Sequence, residues 1–305
     1  MNEKKDNTTL QYISVFAMIG IFVFLFVAPT TKKSIALAPD EVSASVLLAT
    51  LPTPIQDTIE ITAGAAYVID TTNDLVLFEK NADAQLPLAS VTKVAVALLA
   101  HTYLSDTEYI YLSASAIATE GESYLNVGDV WNTQDLIDFM LITSSNDAAV
   151  ALAEAIEDVS KASIDVLLNE LAQDIGLSQT YFLNATGLDE NLALSGSYGS
   201  AKDMAMLFSY IYDTAPQVLE ASSVPQATFY NTSGIAYEAE NTNTVLGDLP
   251  GLLFSKTGFT DLAGGNLVVL METEPGHPII ISVLNSTPEG RFEDTVQIVR
   301  SLMRN

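Results

Sequence analysis

Residues 65–80 read AAYVIDTTNDLVLFEK, two mostly apolar stretches on either side of the polar turn TTND. This arrangement predicts an antiparallel β-hairpin. Three more strand-like stretches lie near the other end of the chain, at 251–257, 266–272 and 278–285. A Pro-Gly turn joins the last two. Strands at both ends of the chain predict a single sheet assembled from the two termini, which is typical of the α+β class.

The middle of the chain has helical periodicity instead. Ser200 and Asp203 have the spacing of a capping box at the start of one of these helices. An amphipathic stretch closes the chain. We predict helices over 91–102, 134–141, 147–156, 162–175, 201–212 and 292–303.

The composition excludes several kinds of site. Among its 305 residues the chain has no cysteine, which excludes disulfides, thiolate metal ligands and a cysteine nucleophile. Its two histidines, His101 and His277, lie far apart in the sequence. We therefore expect no metal centre and no cofactor. The net charge of −26 argues against nucleic acid as a partner, because phosphate backbones bind basic surfaces.

The N-terminal region contains an uncharged apolar run, Ile13–Ala28. A helix over residues 10–28 is roughly 28 Å long, close to the hydrocarbon thickness of a bilayer. Both an uncleaved anchor and a cleaved signal peptide have such a run. The small-residue cleavage motif at 36–38 lies well beyond it and precedes Pro39, which favours the anchor. Lysines flank the run on both sides, so their charges leave its orientation open.

Three short motifs could carry chemistry. Ser90 and Lys93 form an S-x-x-K pair on one face of a predicted helix start, where a desolvated amine can take the proton of a hydroxyl. Ser144-Ser-Asn146 offers a second hydroxyl and an amide, although the same residue types are common helix caps. Lys256-Thr257-Gly258 places a cation and a hydroxyl, which can hold a carboxylate, beside a glycine that lets another backbone approach.

In this order the three motifs resemble those of the penicillin-binding proteins and class A β-lactamases. From about 65 to 303 the chain is most similar to the serine-type D-alanyl-D-alanine carboxypeptidases, the low-molecular-mass penicillin-binding proteins. The segments that carry this resemblance read LPLASVTK (86–93), SNDAAVALAE (145–154), TGLD (186–189), SAKD (200–203) and KTGFTDLAG (256–264).

The resemblance implies a β-lactamase/transpeptidase-like α+β fold, in which an antiparallel sheet flanked by helices meets a helical subdomain at the active-site cleft. It also implies removal of the terminal D-alanine from peptidoglycan stem peptides, and β-lactam antibiotics as further ligands. The implied catalytic residues are Ser90 as the acylated nucleophile, Lys93 as general base and Ser144 as proton relay.

The same resemblance assigns substrate binding to Asn146, Lys256, Thr257, Gly258 and Phe259. The backbone N–H groups of Ser90 and Phe259 are the implied oxyanion hole. The resemblance also extends a carboxylate-binding role to Arg291. Metal ligands are not among the implied site residues.

The domain order that we expect is a cytoplasmic tail and transmembrane anchor over 1–29, a linker over 30–57, and a catalytic domain over 58–305. We expect a single-pass protein of the cell membrane, with the N-terminus cytoplasmic and the catalytic domain outside. Many family members continue into a C-terminal β-domain and a membrane helix; this sequence ends at Asn305, and the N-terminal anchor is expected to take over that attachment. The segment 191–199 looks longer than usual.

Three alternative functions remain to be weighed. A DD-endopeptidase cuts cross-links with the same residues. A class A β-lactamase needs a carboxylate that activates water, and Glu190 is the nearby candidate. An inactive wall-binding module would have lost a motif residue, and none is lost here.

Overall fold

The computed structural model describes residues 53–55, 59–121 and 125–304. The predicted tail and anchor at 1–29 lie outside the described residues, as does nearly all of the predicted linker. Among the residues that are described, no helix is long and apolar enough to cross a bilayer.

The described strands, numbered in chain order, are β1 Ala65–Asp70, β2 Leu75–Lys80, β3 Leu86–Pro87, β4 Tyr109–Tyr111, β5 Val130–Asn132, β6 Tyr181–Phe182, β7 Ser197–Gly199, β8 Gln226–Tyr230, β9 Ala236–Glu240, β10 Leu252–Thr260, β11 Gly264–Glu272 and β12 Pro278–Ser286. The described helices are α1 Lys93–Tyr103, α2 Ala114–Ile117, α3 Thr133–Thr143, α4 Asn146–Ser160, α5 Ile164–Ile175, α6 Ala201–Thr214 and α7 Gly290–Leu302.

The main sheet confirms that both ends of the domain contribute strands. Its order is β10-β11-β12-β1-β2, and every neighbouring pair is antiparallel. Its inner strands are mostly apolar because both faces are covered. In β11, for example, Leu267 and Val269 pack on the side of α7, whereas Val268 and Leu270 belong to the larger core that includes α1, α3, α4 and α6.

Asp294 on α7 joins the two ends of the domain. Its buried carboxylate accepts hydrogen bonds from the backbone N–H groups of Thr62 and Ala63, and from the hydroxyl groups of Thr62 and Ser286. A carboxylate with this many donors is well satisfied in the core. The contact fixes the chain before β1 against the end of β12, and it was not predicted from the sequence.

The predicted helices and long strands are confirmed to within a few residues. The capping box is confirmed only in part. Ser200 accepts a hydrogen bond from the backbone N–H of Asp203, but the carboxylate of Asp203 accepts from Gln179 and Thr180 instead of returning to the cap. The β8–β9 hairpin was missed, although its strands alternate between buried and exposed residues.

Candidate active site

Ser90 lies in a short 3₁₀ turn, Ala89–Thr92, that leads directly into α1. Ala89 has φ +51°, a conformation that non-glycine residues rarely adopt and that is often found at functional sites. The side-chain amide of Asn266, from β11, donates to the carbonyl oxygens of Pro87 and Leu88. The main sheet therefore holds the backbone that presents Ser90.

Lys93 is fully buried, and its amine lies between three oxygen atoms. Its Nζ atom is 2.8 Å from Ser90 Oγ, 2.8 Å from Asn146 Oδ1 and 2.9 Å from the carbonyl oxygen of Thr186. Burial, together with the neighbouring charge of Lys256, holds the pKa of Lys93 well below its usual range. Neither the amide oxygen nor the carbonyl oxygen can donate, so each must accept an N–H. A neutral amine, which has two N–H groups, then directs its lone pair toward the hydroxyl group of Ser90.

In the loop between α3 and α4, one residue caps the helix and its two neighbours contact the site lysines. Ser145 is the N-cap, and its hydroxyl accepts from the backbone N–H of Ala148. Ser144 lies in the left-handed region at φ +61°, and Asn146 is the first residue of α4. Capping therefore occupies only the middle residue of the motif. The amide of Asn146 contacts Lys93 and also donates to the carbonyl oxygen of Glu120 at 2.8 Å.

Lys256 lies on β10, in contact with this loop, and is only 2% exposed. Its Nζ atom donates to Ser144 Oγ at 2.8 Å and to the carbonyl oxygen of Thr257 at 3.1 Å. Burial, with the charge of Arg291, lowers the pKa of Lys256 to about 7. The hydroxyl of Thr257 lies 2.6 Å from that of Thr242.

Gly258 brings β10 against the turn that carries Ser90. A Cβ atom at this position would lie 2.7 Å from the carbonyl oxygen of Leu88 and 3.2 Å from the backbone nitrogen of Ser90. Only glycine permits this approach without movement of backbone atoms. Phe259 follows with 47% of its surface exposed. The two backbone N–H groups predicted as an oxyanion hole thus belong to neighbouring segments.

Arg291 reaches the site from α7. Its guanidinium donates to the carbonyl oxygen of Gly258 at 2.7 Å and stacks on the ring of Phe292, 4.6 Å from the centroid. Burial lowers the pKa of Arg291 somewhat below its usual value, but a guanidinium remains charged. Arg291 therefore adds a positive charge close to Lys256.

Hydrogen bonds and close backbone approach connect the predicted site residues, and the structure adds residues that sequence reasoning missed. Thr186 contributes a carbonyl oxygen, for which no side-chain signal exists. Asn266 and Thr242 act through side chains. For Asn266 a signal was present, because it is a polar residue at the start of an otherwise apolar strand.

The carboxylates of Asp189 and Glu190, which follow Thr186 in the chain, both accept hydrogen bonds from nearby protein groups. Asp189 accepts from the hydroxyl of Thr260 and the backbone N–H of Leu262. Glu190, the candidate for activating water, is exposed and accepts from the amide of Asn184.

The comparisons with known proteins agree with this geometry. A family model described as D-alanyl-D-alanine carboxypeptidase matches residues 51–287. The carboxypeptidase DacF of Bacillus subtilis is 29% identical over 241 residues, covering 75% of this chain and 59% of that protein. A D-alanyl-D-alanine endopeptidase of Pseudomonas aeruginosa is 26% identical, covering 80% of this chain and 78% of that protein.

Among solved structures, penicillin-binding protein D2 of Listeria monocytogenes, with ampicillin bound, is 32% identical at a TM-score of 0.67. The match covers 81% of this chain and 100% of the Listeria chain. This chain spans about 60% of the length of the carboxypeptidases that head the curated matches.

Proposed function

The chain belongs to the D-alanyl-D-alanine carboxypeptidase family, and from this premise we propose that it is a serine peptidase that removes the C-terminal D-alanine from peptidoglycan stem peptides. The observation that carries the proposal is the environment of Lys93. A buried amine with a lowered pKa, 2.8 Å from a hydroxyl group, is the arrangement that nucleophilic activation of Ser90 requires.

In the acylation step, Ser90 Oγ attacks the carbonyl carbon of the penultimate D-alanine, and Lys93 accepts the hydroxyl proton. The backbone N–H groups of Ser90 and Phe259 stabilise the negative oxygen of the tetrahedral intermediate. When the amide bond breaks, the leaving nitrogen needs a proton. Ser144, which accepts a hydrogen bond from Lys256, relays to this nitrogen the proton that Lys93 took from Ser90, so that Lys93 is neutral again and Lys256 keeps its charge. Water then attacks the ester, with Lys93 again as base, and regenerates Ser90.

A carboxylate clamp, which we define as Lys256, Thr257 and Arg291, accounts for the preference for a C-terminal residue. The substrate carboxylate would contact the amine of Lys256 and the hydroxyl of Thr257, with the guanidinium of Arg291 behind them. Charge-assisted hydrogen bonds of this kind are about twice as strong as neutral ones. In this arrangement Asn146 holds the backbone of the acyl part of the substrate.

β-Lactams are proposed as ligands of the same site. Their reactive amide and carboxylate have the same relative positions as the scissile amide and terminal carboxylate of the stem peptide. The Listeria relative was solved with ampicillin bound. A class A β-lactamase activity is disfavoured, since Glu190 is exposed and held by Asn184, while Asp189 is held by Thr260 and Leu262.

We also propose that the catalytic domain lies outside the cell membrane, attached through the apolar segment at 13–28. The apolar length of that segment and its poor cleavage context support this placement. Peptidoglycan, the proposed substrate, lies on the same side.

The test of the function is incubation of the domain with a pentapeptide stem ending in D-Ala-D-Ala, with released D-alanine measured. We expect release by the native chain and none by Ser90→Ala. A cross-linked dimer of stem peptides, assayed in parallel, measures endopeptidase activity. If neither substrate is cleaved while the domain is folded, the proposed function is wrong.

A further inference from the structure

A cavity of about 760 Å³ adjoins the site on the side of Ser144. Its walls are the C-terminal part of α3, the 144–146 loop and strand β9. Ser144 and Asn146 thus line the cavity and also contact the two site lysines. The volume falls within the roughly 300–1,000 Å³ typical of small-molecule sites. It is far larger than the methyl group of a terminal alanine.

The cavity lies next to the carboxylate clamp and therefore next to the leaving end of the substrate. Ser144 bonds Lys256, and Thr242, two residues after the end of β9, bonds Thr257. With the reacting carbonyl at Phe259 and the terminal carboxylate at Lys256, the last substrate residue lies alongside this part of β10. Its side chain then has the cavity beside it, whereas the acyl part continues past Phe259 in the other direction.

Two carboxylates set the chemistry of the cavity. Residues of β9 alternate, so that Glu238 and Glu240 are exposed on the face with Ala236, while Tyr237 and Ala239 are buried. Both glutamates line the cavity. Within the described part of the chain, no ion pair includes either of them. Their charges therefore remain available to a ligand.

The hairpin that carries these carboxylates is held in place. Thr228, opposite Glu238 on β8, donates to both of its carboxylate oxygens, at 3.2 and 3.1 Å. Tyr237 donates to the buried carboxylate of Asp129, and its ring packs on Trp131 with centroids 5.0 Å apart. The glutamates are thus presented from a fixed wall of the cavity.

We propose that this cavity is the subsite for the side chain of the leaving residue, and that Glu238 and Glu240 select a terminal D-residue with a cationic side chain, such as D-lysine. The inference rests on the proposed peptidase function. The reaction is unchanged: the amide bond between D-alanine and the terminal residue breaks, the acyl group gains the hydroxyl of water, and the leaving amine gains a proton. Only the side chain of the leaving residue differs.

The test compares four stem peptides that differ only in the last residue: D-alanine, D-lysine, D-norleucine and D-glutamate. D-Norleucine has the carbon chain of lysine without the charged ammonium group. We expect kcat/KM for D-lysine to exceed that for D-norleucine about fivefold at low salt, since exposed charge pairs contribute modestly and are screened. The double variant Glu238→Gln, Glu240→Gln should lose this preference and keep its activity on D-alanine.

A charge reversal and a distant control complete the design. Glu240→Lys should shift the preference toward D-glutamate. Glu170→Gln, on α5 beside a different cavity, removes the same charge elsewhere and should change nothing. If the D-alanine peptide is cleaved but kcat/KM for D-lysine does not exceed that for D-norleucine, this inference is wrong and the proposed function is unaffected. Preference that survives the double variant would overturn the assignment to these glutamates. Failure to cleave any of the peptides would overturn the inference and the proposed function together.

Discussion

The amide oxygen of Asn146 accepts a hydrogen bond from Lys93 Nζ at 2.8 Å, although 53 residues separate them in the chain. With the carbonyl oxygen of Thr186, it takes the two N–H groups of a neutral lysine. The remaining lone pair faces Ser90. Asn146 thus orients the proposed base, in addition to its predicted contact with the substrate.

Replacement of Lys93 by methionine should abolish activation of Ser90 and leave the fold intact. General base catalysis contributes about 10²- to 10⁴-fold, so we expect a loss of that order in the acylation rate, measured by intact mass after addition of penicillin. Lys202→Ala, which removes an exposed lysine paired with Asp83, is the control and should acylate normally. Normal acylation of a folded Lys93→Met would contradict the role of this lysine.

The pH profile of kcat/KM should be bell-shaped. Lys93 must be neutral to accept a proton, so activity rises with pH through its lowered pKa. Lys256 must be charged to hold a carboxylate, so activity falls as the pH rises above about 7, where Lys256 loses its proton.

A Lys256→Arg variant tests whether Lys256 causes the loss of activity at alkaline pH. In Lys256→Arg the guanidinium stays charged over the accessible range, so the decline near pH 7 should disappear even if overall activity is reduced. An unchanged alkaline limb in this variant would show that another group titrates there.

Penicillin should form one stable adduct on Ser90. The opened ring keeps its leaving group tethered, and Glu190 is exposed and held by Asn184. We expect an adduct that lasts minutes or longer in intact-mass spectra, maps to the peptide containing Ser90 and is absent from Ser90→Ala. Glu190→Gln should leave its lifetime unchanged. Rapid turnover without an adduct would indicate a β-lactamase.

Gly258→Ala should damage the site more than the fold. The added Cβ would lie 2.7 Å from the carbonyl oxygen of Leu88, so β10 must move away from the turn that presents Ser90. Overpacking of this kind costs about 1–3 kcal/mol. We expect a lower melting temperature and slower acylation by penicillin. Gly247→Ala, with nothing within 4 Å of the new atom, is the matched control. Equal acylation rates in the two variants would contradict the need for close approach.

The apolar segment at 13–28 should keep the full chain in the membrane fraction. A chain that starts at residue 53 should appear in the soluble fraction and release D-alanine, since the described site residues all follow that position. Protease added to intact cells whose outer surface is accessible should digest the domain. A mature native protein that begins after residue 35 would show that the segment is cleaved.

The local pattern of the chain was enough to predict the long elements. Two mostly apolar stretches around polar turn residues defined the hairpin at 65–80, and helical periodicity defined α3 to α7. These patterns can be recognised locally, because burial of one face of a helix or strand requires apolar residues at regular positions within a short stretch of sequence. The β8–β9 hairpin was missed even though its alternation is visible, since its glutamates and short length resemble a loop.

The site was predicted as a set of residues, but not as an arrangement. The order of the three motifs identified Ser90, Lys93, Ser144, Asn146 and Lys256. The order of the motifs could not show that Ser145 caps the helix while Ser144 contacts Lys256. Serine and asparagine residues suit both helix capping and a role in the site. Nor could this order find the carbonyl oxygen of Thr186, since every residue has one.

By itself, then, the sequence predicted which residues form the candidate site and which elements carry them. Only the tertiary structure lowers the pKa values of Lys93 and Lys256, because packing removes water from both amines and places positive charges near each other. It also decided what surrounds the carboxylates: Asp189 and Glu190 accept hydrogen bonds from nearby protein groups, whereas Glu238, held by Thr228, and Glu240 line an open cavity beside the clamp. Burial and direction depend on residues distant in the chain, and no local pattern of the sequence encodes them.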